Sequence, residues 1–262
     1  MDEFSEKPLK NFWDDKSRAT KPFFDAPSTQ YYFRREKYLF EEWFRYIRGK
    51  KILKTDLWNE AKNTKILVWA CKQGAIACGF DISSGIIEEA CSTMKKEKLN
   101  ATFKYGDVRK IPFEDNQFDF FYSMGTVEHT PQYETSIKEL YRILKPGGIG
   151  IIGVPNRLRN WTFKVLSKVN MFPYGYEKHF TKKEFRTVLE KCGFEVLEES
   201  SILSIPFLLR VLDLFLYKNA KSLCILTEVF LRPFDLVETN IKTIRDNFGY
   251  LLAFKVRKSA KS

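Results

Sequence analysis

From Lys51 onward, short apolar runs alternate with segments whose apolar residues recur at helical spacing. This alternation is typical of repeated βα units, which build a mostly parallel sheet with helices on both faces. Residues 149–154 are apolar throughout, as a strand covered on both faces must be. The pattern therefore predicts an α/β protein whose seven strands lie at 51–57, 76–81, 101–106, 118–124, 149–154, 194–199 and 250–257.

Two regions fall outside this repeating pattern. Residues 1–48 mix charged and aromatic residues and end in a helical pattern that stops at Gly49, which predicts an N-terminal cap and a helix. Residues 201–248 are rich in Leu, Ile and Phe at helical spacing and delay the last strand. We therefore expect a cap at 1–48 and a domain at 49–262 that contains a helical insertion at 201–248.

A helix after the fifth strand is marked at both ends. Thr181 and Glu184 have the spacing of a capping box, in which each side chain binds the backbone N–H of the other residue. Gly193 suits the left-handed conformation that commonly ends a helix. The sequence therefore predicts a helix between these positions.

The charge is unevenly distributed. The chain has 44 basic and 33 acidic residues, and residues 151–262 alone contain 19 basic and 11 acidic ones. A basic excess favours an anionic partner, such as a substrate, a nucleic acid or a membrane surface. Nucleic acid is the least favoured of these, because no RNA-binding module is visible. The sequence does not indicate an oligomeric state.

Cysteine use and hydropathy narrow the class of protein. The five cysteines lack paired metal-ligand spacing and the chain has only two histidines, so no metal site is predicted. The first residues are acidic and unlike a signal peptide, which favours a reducing, cytoplasmic setting. The longest apolar stretch, 202–217, is interrupted by Pro206, Arg210 and Asp213 and falls short of the roughly 20 residues that span a bilayer.

A basic segment with an apolar stripe follows the fifth strand. Its apolar residues are spaced by three or four positions, as on one face of a helix. Such a helix either packs on the domain or rests on an anionic membrane surface, so peripheral membrane association is a second expectation. The basic residues are Arg157, Arg159, Lys164 and Lys168, and the apolar ones are Leu158, Trp161, Val165 and Val169.

Polar residues follow the first four predicted strands. In an open parallel sheet, ligands bind at the carboxyl ends of the strands, where Asp56, Asp81, Asp107 and the segment 123–125 all lie. A carboxylate at position 81 could accept both hydroxyls of a bound ribose. Alternatively, Asp81 caps the helix that starts near Ser84.

Several motifs in order along the chain resemble the class I S-adenosylmethionine-dependent methyltransferases, especially the small-molecule branch related to the ubiquinone and menaquinone methyltransferases. They are Tyr-Gly-Asp-Val at 105–108, Asp-Asn-Gln-Phe-Asp at 115–119, Ser-Met-Gly-Thr-Val-Glu-His at 123–129 and Leu-Lys-Pro-Gly-Gly at 144–148. The resemblance implies a Rossmann-like sheet of seven strands that is parallel except for the last strand.

The resemblance also implies S-adenosylmethionine as the cofactor. The family's acidic residue after the third strand accepts a hydrogen bond from the adenine amino group, a role that falls to Asp107, and the Val108 amide would meet the ring. The residues implied in cofactor binding are Thr55, Asp56, Leu57, Asp81, Ile82, Asp107, Val108, Ser123, Met124 and Gly125.

The first strand departs from the family pattern of an acidic residue followed by a Gly-x-Gly-x-Gly turn, because no glycine lies between Gly49 and Gly74. Either the first strand is 51–57 with an altered loop, or it is 65–69 and the glycine segment is missing. We favour the first alignment, since a helix at 60–73 then connects the first two strands, and parallel strands need a crossover of about a dozen residues.

In that alignment Asp56 would accept the cofactor's ammonium group. His129 is the candidate general base because imidazole titrates near neutrality, although a structural histidine before Pro131 is an equal alternative. The candidate acceptor-binding residues, for which plain packing is the alternative, are Tyr31, Tyr174, Tyr176 and His179.

The expected activity is O-, N- or C-methylation of a small-molecule or lipid-like acceptor. The basic surface would suit an anionic acceptor. The missing glycines favour an alternative, a catalytically inactive binding protein that keeps the fold and has lost the cofactor. A nicotinamide-dependent oxidoreductase needs a Gly-x-Gly-x-x-Gly turn, and this sequence has none.

Overall fold

The computed structural model describes residues 4–159 and 176–260. The strands are β1 (Lys51–Lys54), β2 (Ile76–Asp81), β3 (Ala101–Tyr105), β4 (Phe118–Met124), β5 (Leu144–Pro155), β6 (Glu195–Ile202) and β7 (Leu251–Arg257). They form one sheet in the order β3-β2-β1-β4-β5-β7-β6. Paired strands are parallel except that β7 is antiparallel to both β5 and β6. The predicted seven-stranded, Rossmann-like α/β fold is confirmed.

Helices cover both faces of this sheet. Short turns of π-helix and 3-10 helix lie at Phe40–Phe44, Val127–His129 and Lys221–Leu223. The α-helices are α1 (Glu6–Ala19), α2 (Pro27–Leu39), α3 (Trp58–Lys62), α4 (Ile66–Lys72), α5 (Ser84–Lys96), α6 (Tyr133–Ile143), α7 (Lys182–Lys191), α8 (Phe207–Asn219), α9 (Cys224–Asn240) and α10 (Lys242–Asn247).

The ends of α7 agree with the prediction. Thr181 and Glu184 form the reciprocal hydrogen bonds of a capping box. Gly193 follows the helix with a φ of +100°, a backbone conformation that favours glycine. The sequence therefore located this helix correctly from its two ends.

The preferred placement of the first strand is also confirmed, because β1 lies at 51–54 and residues 66–72 are helical. Its predicted end at position 57 is wrong. The strand ends at Lys54, and the Leu57 amide donates to the side-chain carboxylate of Asp81 instead of to a backbone carbonyl of a neighbouring strand. The single helix predicted at 60–73 is wrong as well, since Lys65, with a φ of +60°, separates α3 from α4.

Two further bounds differ from the prediction. β5 begins at Leu144 rather than at 149, because the Lys-Pro-Gly-Gly segment is extended and Leu144 pairs with Phe118 across a bulge. The N-terminal helix does not run to Gly49. It passes into a π-helical turn in which the Arg45 amide donates to the Phe40 carbonyl, and Arg45 then has a φ of 57°.

The insertion and α2 lie on the same face of the sheet and are joined by polar contacts. Asp235 of α9 pairs with Arg34 at 2.7 Å and with Arg35 at 2.8 Å. The Ser28 amide donates to the buried Asp213 carboxylate of α8 at 2.8 Å. These contacts hold α8 above the carboxyl ends of the strands. Among the described residues, no helix combines the length and apolar character needed to cross a membrane.

Candidate functional site

A cavity of about 720 Å³ lies at the carboxyl ends of β1 to β4. One part, which we call the strand end, is lined by the residues that follow these four strands. The other part, which we call the helical end, is lined by residues after β6 and on α8, including Leu203, Ile205, Leu208, Arg210 and Val211. The cavity therefore joins the polar edge of the sheet to an apolar wall of the insertion.

The strand end contains most of the residues implied in cofactor binding. Leu57 and Ser123 do not line the cavity: Leu57 is fully buried, and Ser123 accepts a hydrogen bond from the Thr55 hydroxyl at 2.9 Å. Gly125 has a φ of +77°, which few other residues adopt. The implied residues that line the cavity are Thr55, Asp56, Asp81, Ile82, Asp107, Val108, Met124 and Gly125.

The glycine-free loop after β1 is organised by a buried lysine. The Lys54 ammonium lies 3.1 Å from an Asp56 carboxylate oxygen and 3.4 Å from a Glu60 carboxylate oxygen. Burial lowers the pKa of Lys54, but the nearby carboxylates of Asp56, Glu60 and Glu36 outweigh this effect and raise the pKa above its ordinary value. Lys54 therefore stays charged. Sequence reasoning missed this residue, although a charged residue at the end of an apolar strand is a signal for it.

Asp81 is held by two backbone amides. The Leu57 N–H donates to its Oδ2 at 2.9 Å and the Ser83 N–H donates to its Oδ1 at 2.8 Å. The alternative in which Asp81 caps α5 is wrong, because the Ser83 side chain accepts from the Ile86 amide and caps that helix. Burial raises the pKa of Asp81 to about 7, although the two amide donors lower it.

Asp107 shares its carboxylate with a neighbouring cation. The Arg109 Nε lies 3.0 Å from each Asp107 carboxylate oxygen, and the Arg109 amide donates to Oδ1 at 2.8 Å. Arg109 also donates to the Gln132 side chain at 3.3 Å. Any ligand that donates to Asp107 would therefore share this carboxylate with the guanidinium group.

His129 lines the cavity on the 3-10 turn after β4. Its Nδ1 lies 3.0 Å from the Tyr176 carbonyl oxygen, and its ring packs edge-on against Trp13 with centroids 5.1 Å apart. A carbonyl oxygen only accepts hydrogen bonds, so the neutral ring has its proton on Nδ1 and its lone pair on Nε2. This tautomer suits a general base.

Glu128 is a second residue of this turn that lines the cavity and that the sequence prediction did not include. Its side chain is 1% exposed, and its Oε2 has no hydrogen-bond partner among the described residues. Burial, and then the nearby Glu177, raise the pKa of Glu128 well above its ordinary value. Burial thus favours the protonated form of the carboxyl group, which can donate a hydrogen bond.

The candidate acceptor-binding residues that the structure describes are absent from the described lining of the cavity. Tyr31 is fully buried and its hydroxyl donates to Glu238, whereas the next residue, Tyr32, lines the cavity. The Tyr176 ring packs against Phe4 and the His179 Nε2 lies 2.8 Å from a Glu177 carboxylate oxygen, and neither residue is part of the described lining. Tyr31 is therefore corrected, whereas the roles of Tyr176 and His179 in acceptor binding stay predictions. Tyr174 lies outside the described residues, as does most of the basic segment between Arg157 and Val169.

Residues 60–152 match the model of a methyltransferase domain family. This segment is about a third of the chain, and its similarity is to a methyltransferase domain.

The similarity to individual relatives is local. The chain is 39% identical over 71 residues to a demethylmenaquinone methyltransferase of Lactococcus lactis, over 27% of this chain and 28% of the relative. It is 28% identical over 143 residues to a sterol 24-C-methyltransferase of Kluyveromyces lactis, over 49% of this chain and 37% of the relative. The chain therefore spans well under half the length of these relatives, and the activity of the whole protein does not follow from them.

The chain is similar in fold to the [4+2]-cyclase SpnF, with a TM-score of 0.59 and 18% identity over 86% of this chain and 80% of that one. This likeness concerns the fold alone, because one fold hosts unrelated reactions. The family match begins at Glu60, so β1, Lys54 and Asp56 lie outside it. The unusual part of the site is therefore also the part that the family model does not match.

Proposed function

We propose that this protein is an S-adenosylmethionine-dependent methyltransferase that acts on a small-molecule or lipid-like acceptor with an anionic group. The observation that carries the proposal is the cavity itself, in which Asp56, Asp81 and Asp107 follow three neighbouring strands and His129 follows the fourth. Its volume of about 720 Å³ lies in the range of small-molecule sites.

The residues at the strand end fit this cofactor. Asp81 would accept the ribose hydroxyls, Asp107 the adenine amino group and Asp56 the ammonium group, since carboxylates are the natural partners of these donors. Lys54 already neutralises part of the charge of Asp56, and this is the point at which the fit departs most from the family pattern. When bound, the cofactor supplies a methyl group that its positive sulfur activates for in-line displacement.

The protein's own contribution to methyl transfer would be orientation and proton removal. The strand end would fix the sulfonium methyl toward the helical end, where the acceptor's O, N or C nucleophile lies. His129 would accept the acceptor's proton at Nε2 while its Nδ1 donates to the Tyr176 carbonyl. Apolar residues of α8 would exclude water from this step.

The helical end supports an acceptor that is apolar over most of its length and anionic at one position. Arg210 lines the cavity and donates to the Ser28 hydroxyl at 2.8 Å and to the Asn63 side chain at 3.3 Å. Arg159 also lines it and donates to the Ser204 carbonyl at 3.2 Å. The sterol and quinone methyltransferases among the relatives are consistent with the apolar part of such an acceptor, whereas its anionic group is inferred from the two arginines alone.

The N-terminal residues would close the site. Leu9 and Trp13 of α1 and Tyr32 of α2 line the cavity, which supports a cap at 1–48 on a domain at 49–262. A cytoplasmic location, and contact of the segment between Arg157 and Val169 with an anionic membrane, stay predictions.

Replacing Asp56 by alanine tests the cofactor assignment. A charge-assisted hydrogen bond is worth about 1.5–3 kcal/mol, so Asp56→Ala should weaken S-adenosylhomocysteine binding by about tenfold or more in isothermal titration calorimetry. Lys54 keeps Glu60 as a partner in this variant, so the fold should survive. Asp115→Ala, at an exposed carboxylate outside the cavity, should bind as the wild type does.

The calorimetric result also separates the proposal from its alternative. A wild-type protein that binds neither S-adenosylmethionine nor S-adenosylhomocysteine would contradict the enzyme and favour an inactive protein that keeps the fold, which the absent glycines and the buried Lys54 favour. If the wild type and Asp56→Ala bound S-adenosylhomocysteine equally well, only the role of Asp56 would be removed.

The raised pKa of Asp81 predicts that cofactor affinity depends on pH. Ribose hydroxyls donate to the ionised carboxylate, and Asp81 becomes protonated as the pH falls through about 7. If only the ionised form binds, the Kd for S-adenosylhomocysteine should rise by about tenfold between pH 8 and pH 6. Asp81→Asn should remove most of this dependence, whereas an equal pH dependence in both proteins would assign it to another group.

A further inference from the structure

The helices α8 and α9 have an inverted polarity. They contact each other through Thr227, whose hydroxyl donates to Asp213, and we call this pair the hairpin. Three of its polar side chains face inward, since Asp213 and Glu238 are 0% exposed and Thr227 is 1% exposed. Many of its large apolar side chains face outward, although Leu231 is buried and Leu209 and Phe234 pack against the core. In water this arrangement is the reverse of the usual one, in which apolar residues are buried and carboxylates exposed.

The inward carboxylates are fixed by hydrogen bonds to other parts of the chain. Asp213 accepts from the Ser28 amide at 2.8 Å. Glu238 accepts from the Leu203 amide at 3.1 Å and from the Ser204 amide at 3.2 Å. Rotation of the helices to bury their leucines would leave these carboxylates and amides unpaired, which is strongly unfavourable. The apolar outer face is therefore part of the folded arrangement.

The outer face is large and continuous with the cavity. Leu208 is 73% exposed and Val211 is 45% exposed, and both also line the cavity, so they form its rim. Contiguous exposed apolar patches of this kind mark an interaction surface. The outer face consists of Leu208, Val211, Leu212, Phe215, Leu223, Ile225, Leu226, Val229, Phe230 and Leu236, each at least 45% exposed.

The charges around the outer face are complementary to an anionic surface. Lys218 and Lys221 are exposed at the turn between the two helices. Of the hairpin's acidic residues, Asp213 and Glu238 are buried, and Asp235 pairs with Arg34 and Arg35 of α2. The remaining one, Glu228, pairs with Arg232. The outer surface thus presents apolar side chains with cations at one end.

We propose that the outer face of the hairpin docks on a lipid bilayer that contains anionic lipids, with the apolar side chains in the interface and Lys218 and Lys221 near the headgroups. Helices with an apolar face and flanking cations bind membranes in this way. A second copy of the chain is the weaker candidate, because it would cover the rim at Leu208 and Val211. A lipid-like acceptor would then enter the cavity past this rim, and this part of the proposal rests on the proposed function.

Vesicle co-sedimentation of the full chain tests this docking. The wild type should sediment with vesicles of equal parts phosphatidylcholine and phosphatidylglycerol, and less with phosphatidylcholine alone. Leu212→Gln/Phe215→Gln removes two exposed apolar side chains without changing the charge, and should weaken binding to the mixed vesicles by about tenfold or more. Tyr46→Gln is the matched control, because Tyr46 is 67% exposed and lies outside the hairpin.

Lys218→Ser/Lys221→Ser should reduce the preference for anionic vesicles, and added salt should do the same in the wild type because it screens exposed charges. Equal sedimentation of the wild type and Leu212→Gln/Phe215→Gln would overturn the proposal. A second result would also overturn the proposal. In it, the wild type forms a dimer in gel filtration and does not bind vesicles, and Leu212→Gln/Phe215→Gln converts the dimer to a monomer.

Failure of the docking is distinguishable from failure of the proposed function. Leu212 and Phe215 do not line the cavity. S-adenosylhomocysteine binding in calorimetry should therefore be the same in the wild type and in Leu212→Gln/Phe215→Gln. A protein that binds the nucleoside but no vesicle loses only the docking, and one that binds vesicles but no nucleoside loses only the enzymatic function.

Discussion

Replacing Lys54 by methionine is expected to lower the free energy of unfolding by about 3–5 kcal/mol, because it removes one partner of a buried ion pair. Lys54 is 1% exposed and Glu60 is 0% exposed. Without the lysine, the Glu60 carboxylate would be buried with no cation beside it, and the loop after β1 would lose the group that connects Asp56 to Glu60. Urea denaturation followed by circular dichroism measures the change.

Two further variants show whether this loss comes from the unpaired carboxylate. Lys54→Met/Glu60→Gln removes both charges and should recover part of the lost stability, because an uncharged pair has a smaller desolvation penalty. Lys72→Met removes a lysine that is 52% exposed and pairs with Glu97, and should change stability by less than about 1 kcal/mol. If Lys54→Met were as stable as Lys72→Met, the buried ion pair would have no structural role.

The buried lysine also shows what the sequence could not predict. Its partner Glu60 lies on α3 beyond the loop, so the pair exists only after the chain has folded around it. The central strands β4 and β5 were predictable because burial on both faces leaves a continuous apolar run, which the sequence displays directly. The end of β1 was not, because the Leu57 amide turns toward Asp81 on another strand.

Neighbouring residues on a helix account for the error at Tyr31. Successive positions on an α-helix differ in direction by about 100°, so Tyr31 and Tyr32 point to different surroundings. Tyr31 donates to Glu238 of the insertion and Tyr32 lines the cavity. The sequence contains both tyrosines but does not say where α9 lies. The same reason explains why the buried carboxylates of the hairpin were not expected.

The absence of a glycine loop has a local explanation in the structure. A Cβ atom at Gly79 of β2 would lie 2.6 Å from the Leu57 side chain, so this glycine allows the loop after β1 to pack closely on β2. Gly79 thus allows the loop to lie against β2, and the ion pairs of Lys54 with Asp56 and Glu60 connect the loop to β1 and α3. This arrangement keeps Asp56 and Asp81 at the same edge of the cavity.

His129→Ala is expected to lower the turnover number by roughly a hundredfold or more while S-adenosylhomocysteine affinity stays nearly unchanged, because general base catalysis contributes about that much to the rate. The hydrogen bond from Nδ1 to the Tyr176 carbonyl leaves Nε2 to accept the acceptor's proton. The assay measures transfer of the tritium-labelled methyl group from S-adenosylmethionine to a lipid extract. S-adenosylmethionine is kept saturating at every pH, so that protonation of Asp81 does not limit the rate. The acidic limb of the pH–rate profile, which a general base produces, should then disappear in the variant. His129 also packs against Trp13, and a purely structural role would show itself differently: His129→Ala would then lower cofactor affinity and thermal stability together and keep the shape of the pH–rate profile. Unchanged turnover in His129→Ala, with affinity also unchanged, would remove His129 from the reaction and direct attention to the neighbouring buried Glu128.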